Sequence, residues 1–418
     1  MSSKSELAIV KPLIFVSALA LVSLLGTATA GALSLEIIVE AGDHARTDTP
    51  VSISVADADG LPEKFRLSEI RDGKSIPTAF QRDGKDSPLL WWILEGDTPA
   101  GSKRTYKLEK GAAESNAKST ISVNKTAGYL EVLSGDKRIL RYHTEVSPLP
   151  PDADPNYKRS GYINPVWTPS GEVVTNRAQD YLHQLGIWNA NFLIDFEGRN
   201  PNFWHMVLGN GKVRCVNLES TTTGPVYGGF RAHHEQTDLK APEGPKVAIN
   251  EIWDVRAWNI GGGDSGYWVF DLGITMSCAS SSPVTFKKHT WGAVALRGGA
   301  TWNPDRCRMF TSEGKTRNEA NHTRVRWVEM SGSTNEVWSG LTVLSHPSNF
   351  RHPEPVRVNE TIPYVSFTPE VLGDWQIVPG KDHSIRYRYF IHDGTGVADD
   401  SERVWNDFAH PPKAYFAK

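Results

Sequence analysis

The chain has 418 residues, of which 39% are hydrophobic, so it is long enough for two or three domains and apolar enough to bury their cores. Its formal net charge of −3 gives no reason to expect nucleic acid or an anionic membrane surface as a partner. The 14 tryptophans are an unusual number. We expect most of them to fill β-sandwich cores and the rest to offer flat faces that can cover sugar rings.

The first thirty residues have the pattern of a secretory signal peptide. Two lysines precede an apolar run from Leu13 to Leu25, and small residues form an Ala-x-Ala-like cleavage site that ends at Ala30. The run is shorter than the ~20 residues that a membrane-spanning helix needs, and charges interrupt every later apolar run. We expect cleavage after Ala30 and export from a bacterial cell to the periplasm or the medium. An uncleaved N-terminal anchor is the alternative.

The mature chain retains three cysteines, Cys215, Cys278 and Cys307, which allow one disulfide and leave one thiol over. No Cys-x-x-Cys motif occurs, so a thiolate zinc site is not expected. We predict neither a metal site nor a cofactor.

Short β-rich runs separated by Gly, Pro, Asp and Asn follow the signal peptide. They are LSLEIIVE (33–40), VSISV (51–55), LLWWILEG (89–96) and RTYKLEK (104–110). They predict a small N-terminal β-sandwich domain over 31–112. A polar linker of small residues at 111–118 marks the end of this domain.

The rest of the chain predicts a large β-sandwich domain over 119–418 with a catalytic or binding cleft. Three strands with tight turns are expected in 119–143, and a Pro- and Asp-rich loop at 147–162 is long enough to be functional. Longer strands follow, and SIRYRYFIHDG (384–394) is the last clear one. The tail at 399–416 begins as a short helix. The fold class is therefore all-β.

Three stretches, taken in order, resemble one family. YINPVWTPSGEVVT (162–175) is similar to a family segment with a proline, an aromatic residue and Thr-Pro-x-Gly. DYLHQLGIWNANF (180–192) resembles the motif Asp-x-x-His-His-Arg-Gly-Leu-Trp, and GLTVLSHPSNFRHPEPVRV (340–358) resembles Asp-His-Pro-x-Asn-x-x-x-Pro. With the closing strand GKDHSIRYRYFIHDG (380–394), they resemble the PmoA-like family, secreted bacterial proteins named after a methane oxygenase.

The resemblance implies a β-sandwich with carbohydrate-related neighbours, and a mutarotase-like supersandwich is one form of that fold. Methane oxidation is not expected, because the chain lacks membrane spans and a multi-histidine copper spacing. Gln184 and Leu185 stand where the family has its second histidine and an arginine, and Ser345 stands where it has an aspartate. If the paired histidines carry the chemistry, this chain has lost part of it or does something related.

His183 is the first candidate catalytic residue, because imidazole can act as acid or base near neutral pH. Trp188, five residues later, offers a face for a sugar ring, and Gly186 permits a tight backbone between them. The alternative is a buried strand end in which His183 bonds to a backbone carbonyl group.

NEIWDVRAWNI (250–260) predicts a strand that places Glu251 and Trp253 on one face. A carboxyl group desolvated beside an aromatic wall can have its pKa raised towards acid catalysis. We therefore take Glu251 as catalytic and Trp253 as substrate-binding. The opposite face suits an Asp254–Arg256 ion pair.

Two further histidine motifs favour ordinary structural roles. His205 in NFWHM (202–206) could point into the same cleft but is more typical of a core or surface histidine. In a strand, RAHHEQ (231–236) would place His233 and Glu235 on one face. Two metal ligands or an acid–base pair could be arranged in this way. The polar residues around them favour a solvated loop instead.

SHPSNFRHPEP (345–355) predicts a stiff corner after the strand 340–344. Residues before proline are confined to extended geometry, so the backbone of His346 is held rigidly. We therefore take His346 as a candidate catalytic residue. Asn349 and Arg351 are candidate substrate-binding residues, since the planar fork of Arg351 suits a carboxylate such as that of a uronic acid. A purely structural turn is the alternative. A metal site is disfavoured, because no carboxylate stands at a ligand-like spacing.

The closing strand places Tyr389 on one face and the polar residues Arg388 and His392 on the other. The polar face is expected to lie in solvent or to line a cleft. We take Tyr389 as a candidate catalytic base and Arg388 and His392 as candidate substrate-binding residues.

Together these residues favour an exported carbohydrate-active enzyme that cleaves glycosidic bonds by general acid–base chemistry, with a carbohydrate as its partner. A hydrolase needs two carboxylates roughly 5–10 Å apart, for which Glu251 with Asp195 or Glu197 are the candidates. A lyase needs a His or Tyr base beside an arginine that neutralises a uronate.

The alternative is a non-catalytic glycan-binding protein of the cell surface or periplasm. Gln184, in place of the second histidine of the motif, favours this alternative. The sequence does not separate a glycoside hydrolase from a polysaccharide lyase.

Overall fold

The computed structural model describes residues 34–56, 64–84, 87–112, 119–263 and 265–417, together with Met1 and Ala117. Apart from Met1, the predicted signal peptide lies outside these residues. Leu33–Lys418 forms one compact unit. Within the described part of the chain, no helix has the length and apolarity that crossing a membrane requires.

Strands dominate the described residues. The first seven are β1 (Ser34–Glu40), β2 (Arg46–Ser54), β3 (Phe65–Arg71), β4 (Lys74–Thr78), β5 (Phe80–Arg82), β6 (Leu89–Thr98) and β7 (Lys103–Lys110). The next six are β8 (Ile121–Thr126), β9 (Tyr129–Ser134), β10 (Lys137–His143), β11 (Tyr162–Val166), β12 (Ile187–Asn189) and β13 (Ile194–Phe196). The long strands follow: β14 (Gly211–Thr222), β15 (Tyr227–Asp238), β16 (Lys246–Trp258), β17 (Tyr267–Cys278), β18 (Val284–Phe286), β19 (Val294–Arg297) and β20 (Cys307–Thr311).

The remaining strands are β21 (Arg324–Val325), β22 (Trp327–Thr334), β23 (Val337–Ser345), β24 (Glu354–Val358), β25 (Tyr364–Phe367), β26 (Trp375–Ile377), β27 (His383–Asp393) and β28 (Lys413–Phe416). The α-helix α1 (Ala398–Ala409) lies between the last two strands. Short 3₁₀ turns span Pro155–Tyr157, Met206–Leu208, Gly261–Gly263, Pro304–Arg306 and Pro369–Leu372. The strands predicted at 33–40, 51–55, 89–96, 104–110 and 119–143 are confirmed.

The N-terminal strands form two sheets with a core of their own. β1, β3, β4 and β7 make one antiparallel sheet, and β2, β5 and β6 make the other. Inward side chains alternate with outward ones, as in β7, where Tyr106 and Leu108 are buried against Trp92 and its neighbours. β28 pairs with β1, so the C-terminal end of the chain completes the first sheet.

The larger part of the chain is a sandwich of two antiparallel sheets. One sheet has eight strands in the order β14-β15-β16-β17-β27-β23-β22-β20, and the other has nine in the order β21-β24-β25-β19-β12-β11-β10-β9-β8. Both sheets contribute side chains to one large apolar core. The prediction of an all-β sandwich is confirmed. Its division into domains at 31–112 and 119–418 stays a prediction.

Helix α1 covers the outer face of the eight-stranded sheet. Its first turn carries Asp399 and Asp400, whose charge suits the positive end of the helix dipole. Val404, Trp405 and Phe408 are buried, and the indole N–H of Trp405 donates to the carbonyl oxygen of Ser345 at 2.9 Å. This helix buries sheet side chains that the strand pattern alone leaves facing solvent.

Candidate functional site

A cavity of about 540 Å³ opens among loops and strand ends of the nine-stranded sheet. Its walls come from the loop before β11, the segment before β12, the segment after β12, the loop before β19 and the β24–β25 region. The lining residues are Tyr157, Gln179, Asp180, Tyr181, Leu182, His183, Gln184, Phe192, Trp204, His205, Trp291, Arg357, Asn359, Ile362 and Tyr364. We call this the His183 cavity.

Two histidines and a tyrosine lie close together in the His183 cavity. The ring centroids of His183 and His205 lie 4.5 Å apart, with 71° between the ring planes. The hydroxyl group of Tyr157 lies 3.4 Å from Nε2 of His205. This tyrosine comes from the 3₁₀ turn in the loop at 147–162. That loop is long enough for a functional role.

Hydrogen bonds hold the two histidines in a fixed relation. The indole N–H of Trp204 donates to the carbonyl oxygen of His183 at 3.1 Å. The buried Asn202 side-chain oxygen accepts from the backbone N–H groups of Trp204 and His205, at 3.0 and 2.7 Å. The segment that carries His205 is thereby tied to the segment that carries His183.

Both imidazole groups are neutral at pH 7. Burial, the neighbouring His205 and Arg297 lower the pKa of His183 to about 4. Burial also lowers the pKa of His205. Nδ1 of His183 is buried and has no hydrogen-bond partner among the described residues, an arrangement that costs about 1–3 kcal/mol when nothing compensates it. A neutral imidazole group is suited to accept a proton.

Aromatic side chains form most of the cavity wall. The rings of Trp204 and Tyr364 are stacked at 6.2 Å with an interplanar angle of 11°. Phe192 and Trp291 meet the edge or face of Trp204 at 5.6 and 5.9 Å. Trp291 is 40% exposed, so part of its face is free to contact a ligand. Such faces suit the apolar side of a sugar ring.

Gln184 has a structural partner beneath the cavity. Its side-chain oxygen accepts from Nη1 of the buried Arg297 at 2.7 Å. Nη2 of Arg297 lies 3.7 Å from the carboxylate of Asp180, which also lines the cavity. The position at which the PmoA-like motif has its second histidine is thus used here to anchor the 179–184 segment.

Gly186 allows the tight backbone that the sequence predicted. Its φ is +83°, and a Cβ atom at this position would overlap the carbonyl oxygen of Ile163 and lie 2.8 Å from Cβ of Asn164. Trp188, the predicted sugar platform, is fully buried 6.1 Å from the ring of Tyr364. It supports the cavity wall from behind, because β12 is a central strand paired on both sides with β11 and β19.

The structure places Glu251 and Trp253 in the sandwich core. Both are fully buried on the inner face of β16. The Glu251 carboxylate accepts hydrogen bonds from Asn189, Gln236 and Trp253, so its oxygens are occupied by protein groups. The alternation of β16 is as predicted, but its inner face meets the opposite sheet instead of a cleft. Neither residue lines the His183 cavity.

His346 and Asn349 do not line the His183 cavity either. The ring of His346 meets the edge of Phe408 in helix α1 at 4.8 Å. The Asn349 side chain exchanges hydrogen bonds with the backbone of Arg386, at 2.9 and 2.8 Å. The stiff corner is therefore present, but it faces the helix and β27.

The Arg351 guanidinium group is occupied by backbone. It donates to the carbonyl oxygens of Pro369 at 2.6 Å, Gly373 at 2.8 Å and Asp374 at 3.3 Å. Its own backbone has φ of +64°. Arg351 holds the turn after β25 and does not line the His183 cavity.

The candidates on β27 are also separated from His183. Tyr389 is fully buried in the sandwich core, and burial raises the pKa of its hydroxyl group far above the range of a useful base. Arg388 donates to Asp271 at 2.6 Å, and Nε2 of His392 lies 3.6 Å from the buried carboxylate of Glu329. Helix α1 and the loop before it cover the face on which Arg388 and His392 lie.

The other candidates, Glu197, Asp195 and His233, bind neighbouring protein groups outside the His183 cavity. Glu197 forms ion pairs with Arg199 at 2.9 Å and Lys246 at 2.6 Å, and Asp195 accepts from the backbone of Gly198. His233, on β15, lies 3.2 Å from the side-chain oxygen of Asn250.

Among the described residues, no group of three or more His, Cys, Asp or Glu side chains is arranged to hold a metal ion. Cys215, Cys278 and Cys307 are free thiols.

Sequence reasoning missed most of the residues that accompany His183. NFWHM pointed to Trp204 and His205, but their core-like pattern hid their role. Tyr157 could have been found from the length of its loop. Trp291 and Arg357 carry no local signal, because only the tertiary fold brings their segments to the cavity.

The fold and the cavity define an all-β sandwich protein with an aromatic-walled, histidine-bearing site. Residues 129–406 match DUF6807, a family of unknown function, and this chain belongs to that family. The match includes every residue that lines the His183 cavity. The resemblance to the PmoA-like family stays a prediction. A search of curated proteins finds no match.

Solved structures similar to this chain include a protein in glycosyl hydrolase family 38 from Enterococcus faecalis, with 11% identity and a TM-score of 0.47, covering 92% of this chain and 47% of that one. Heparan sulfate lyase HepC from Pedobacter heparinus has 11% identity and a TM-score of 0.34, covering 66% of this chain and 37% of that one. A mutant of the same lyase has 12% identity and a TM-score of 0.34, with coverages of 69% and 38%. This chain spans less than half the length of each of them.

Proposed function

We propose that this protein is a carbohydrate-active enzyme that binds a sugar ring in the His183 cavity and cleaves a glycosidic bond there by general acid–base catalysis. The observation that carries the proposal is the pair of neutral histidines, His183 and His205, 4.5 Å apart in a pocket walled by aromatic rings.

The cavity suits a short carbohydrate segment in size and lining. Its volume of about 540 Å³ is within the ~300–1,000 Å³ typical of small-molecule sites. Trp291, which is 40% exposed, offers a ring face for stacking. Gln179, Asp180 and Asn359 supply hydrogen-bonding groups for sugar hydroxyls. This combination of flat apolar faces and a few polar groups is what a sugar ring requires.

The acid–base groups support proton transfer in both directions. His183 is neutral at pH 7, because its pKa is about 4, and a neutral imidazole group can accept a proton. Burial and Asp154 raise the pKa of Tyr157, so its hydroxyl group stays protonated and can donate to a leaving oxygen. His205, 3.4 Å from that hydroxyl group, can return the proton.

Among the residues that line the cavity, Asp180 is the only carboxylate. This lining therefore does not support hydrolysis by a pair of carboxylates. It supports a reaction in which a histidine or tyrosine acts as the base. The same observation favours a second candidate, a non-catalytic glycan-binding protein, because aromatic stacking and hydrogen bonds suffice for binding.

The test is a screen of the purified protein against a panel of algal and plant polysaccharides, with product analysis by mass spectrometry. We expect at least one polysaccharide to be cleaved, His183→Ala and His205→Ala to lose about 10²–10⁴-fold in kcat, and sugar binding to remain. His233→Ala is the matched control, since His233 is half-buried on a distant strand, and it should behave as wild type. Clear glycan binding without turnover by the wild type would support the glycan-binding candidate and exclude the enzyme.

We propose in addition that the protein is exported from a bacterial cell, on the strength of the N-terminal pattern alone. Expression in a bacterial host should yield a periplasmic or secreted protein whose N-terminal residue is Gly31. Recovery from the membrane fraction with Met1 intact would contradict cleavage.

A further inference from the structure

We propose that the His183 cavity selects a sugar that carries a carboxylate, a uronate residue, and that Arg357 binds this group. The proposal rests on the proposed function, because it assigns the substrate class of the same site. It also replaces Arg351, the arginine that the sequence predicted for this role, with a different one.

Arg357 is the cation of the cavity wall. It lies on β24 and is half-buried, and Nη1 donates to the carbonyl oxygen of Val358 at 2.8 Å. Within the described part of the chain, its guanidinium group forms no ion pair with a carboxylate, and its Nε and Nη2 donate to no protein acceptor. These donors form the planar fork that binds a carboxylate.

Other arginines near the site are occupied. Arg297 is bound to Gln184 and lies 3.7 Å from Asp180. Arg351 donates to three backbone carbonyl groups. The buried Arg159 donates to the carbonyl oxygens of Phe203 and Asn189, at 3.0 Å each. These three guanidinium groups stabilise the fold around the cavity, whereas Arg357 presents donors to a ligand.

The other charges of the cavity do not cancel that of Arg357. His183 is neutral at pH 7, and burial lowers the pKa of His205. The one carboxylate of the lining, Asp180, has Arg297 as its counter-ion at 3.7 Å. A cation without a protein counter-ion in a half-enclosed, apolar-walled cavity attracts an anionic ligand more strongly than it would in bulk water.

Asn359 lies beside Arg357 and adds a further donor. Residues two apart in an extended chain project to the same side, and both residues line the cavity. The Asn359 side-chain oxygen accepts from the backbone N–H groups of Thr361 and Ile362, at 2.9 and 3.0 Å, while its amide nitrogen donates to no described residue. Arg317 donates to the carbonyl oxygen of Asn359 at 3.2 Å, which fixes this turn.

A bound carboxylate defines the reaction that His183 can perform. Neutralisation by Arg357 makes the hydrogen on the adjacent ring carbon, C5, more acidic. His183 takes this proton, the C5–H electron pair forms a C4–C5 double bond, and the C4–O glycosidic bond breaks. The leaving oxygen takes the proton of Tyr157. One proton is gained and one is lost by the protein, and the step needs no oxidant.

The experiment uses the full chain with three uronate polymers, polygalacturonate, polymannuronate and polyglucuronate. Each is compared with its carboxyl-reduced counterpart, which has the same linkage without the charge. Binding and the ultraviolet absorption of the unsaturated product are measured for the wild type, Arg357→Gln, Arg357→Lys and Arg308→Gln. Arg308 is the matched control, because it is exposed on β20 over the ring of Trp338 and does not line the cavity.

We expect at least one uronate polymer to bind about tenfold or more tightly than its reduced counterpart and to yield an unsaturated product. Arg357→Gln should abolish this preference without changing the thermal unfolding midpoint, and Arg357→Lys should keep part of it as a point charge. Arg308→Gln should match the wild type.

Three results would overturn the inference in different ways. If the reduced polymers bind and are cleaved as well as the acidic ones, and His183→Ala is inactive on both, the uronate assignment fails and the proposed function stands. If no polymer, acidic or reduced, is bound or cleaved, the proposed function itself fails. An undiminished preference in Arg357→Gln would show that another group binds the carboxylate.

Discussion

His183 is a histidine that the fold keeps neutral. Burial is the largest cause, and the neighbouring His205 and the cation of Arg297 act in the same direction, so the pKa falls to about 4. Protonation would place a charge in a half-buried cavity beside that cation. The basic form, which accepts protons, is therefore fully populated across the physiological range.

We predict that turnover depends on this lowered pKa. The rate should be level from pH 8 down to about 5 and should fall about tenfold per pH unit once the pH is below about 4, because protonated His183 cannot act as a base. The measurement is kcat/KM against pH, with tryptophan fluorescence at each pH to confirm that the protein remains folded. An acidic limb near pH 6.5 would mean that His183 is not the base.

Glu370 is a second residue whose surroundings set its ionisation. Burial raises the pKa of its carboxyl group to about 7, against the opposing effects of Trp375 and Arg351. Oε1 accepts from the indole of Trp375 at 3.1 Å, while Oε2 has no hydrogen-bond partner among the described residues. Its backbone carbonyl oxygen accepts from His289, two residues before Trp291 of the cavity wall.

We predict that Glu370→Gln stabilises the protein in alkali but not in acid. Between pH 4.5 and about 7 the folded state holds a proton that the unfolded state has lost, so the contribution of Glu370 to stability falls as the pH rises. Glutamine removes the cost of the buried charge. Urea denaturation should show a gain of about 2–3 kcal/mol at pH 8 and none at pH 4. Glu360→Gln, an exposed control, should change neither value, and equal effects of Glu370→Gln at both pH values would refute the prediction.

At the scale of elements, the turn into β12 positions the segment that carries His183. Gly186 has φ of +83°, and its would-be Cβ atom meets the backbone and side chain of β11. Gly171 has a similar φ of +96° but open space around it. The two glycines separate the effect of backbone conformation from the effect of close packing.

We predict that Gly171→Ala costs about 1 kcal/mol of unfolding free energy, from its backbone conformation alone. Gly186→Ala should cost about 2–4 kcal/mol, because β11 and β12 must also move apart. Only Gly186→Ala should weaken sugar binding. Chemical denaturation and calorimetric titration measure the two effects, and equal costs at the two positions would show that packing against β11 does not matter.

In the stiff corner at 345–355, the rigidity of the backbone could be predicted from the sequence, but the surface that the corner faces could not. Proline fixes the backbone of the residue before it, so a rigid turn could be predicted. Which surface the turn faces depends on helix α1 and β27, which come later in the chain. Arg351 was therefore placed in a binding role, although three carbonyl groups of the neighbouring turn occupy it.

Across Leu33–Lys418, the first and last described strands are joined. Arg46 at the start of β2 donates to Asp407 of α1 at 3.0 Å, and both side chains are almost fully buried. Arg46 also donates to the carbonyl oxygen of His410 at 2.6 Å, and β28 then pairs with β1. The N-terminal sheets, the helix and the large sandwich meet at this ion pair.

We predict that Asp407→Ala lowers the unfolding free energy by about 3–5 kcal/mol, because it leaves the charge of Arg46 buried without a counter-ion. Replacing both partners, Arg46→Met with Asp407→Leu, should recover most of this loss. Asp400→Ala, which removes a half-exposed carboxylate on the same helix, should cost less than about 1 kcal/mol. Urea denaturation measures all three. A loss for Asp407→Ala as small as for Asp400→Ala would show that this ion pair does not hold helix α1 to β2.

The fold class and several of the strands could be predicted from the amino-acid sequence. Period-two alternation is a local property, so runs such as those of β7, β16 and β27 could be assigned, and the alternation of side chains along β16 and β27 is as predicted. The sequence also singled out His183, mainly because DYLHQLGIWNANF (180–192) resembles a motif of the PmoA-like family.

The side chains that accompany His183 are set by the tertiary structure. Tyr157, His205, Trp291 and Arg357 come from segments that are distant in the chain and meet because the nine-stranded sheet places their loops side by side. The strand pattern cannot tell whether an inward face meets another sheet or a cavity, and for this reason Glu251 and Tyr389 were placed in a cleft. Alternation follows from the geometry of a single strand, whereas a site follows from how several strands are ordered in space.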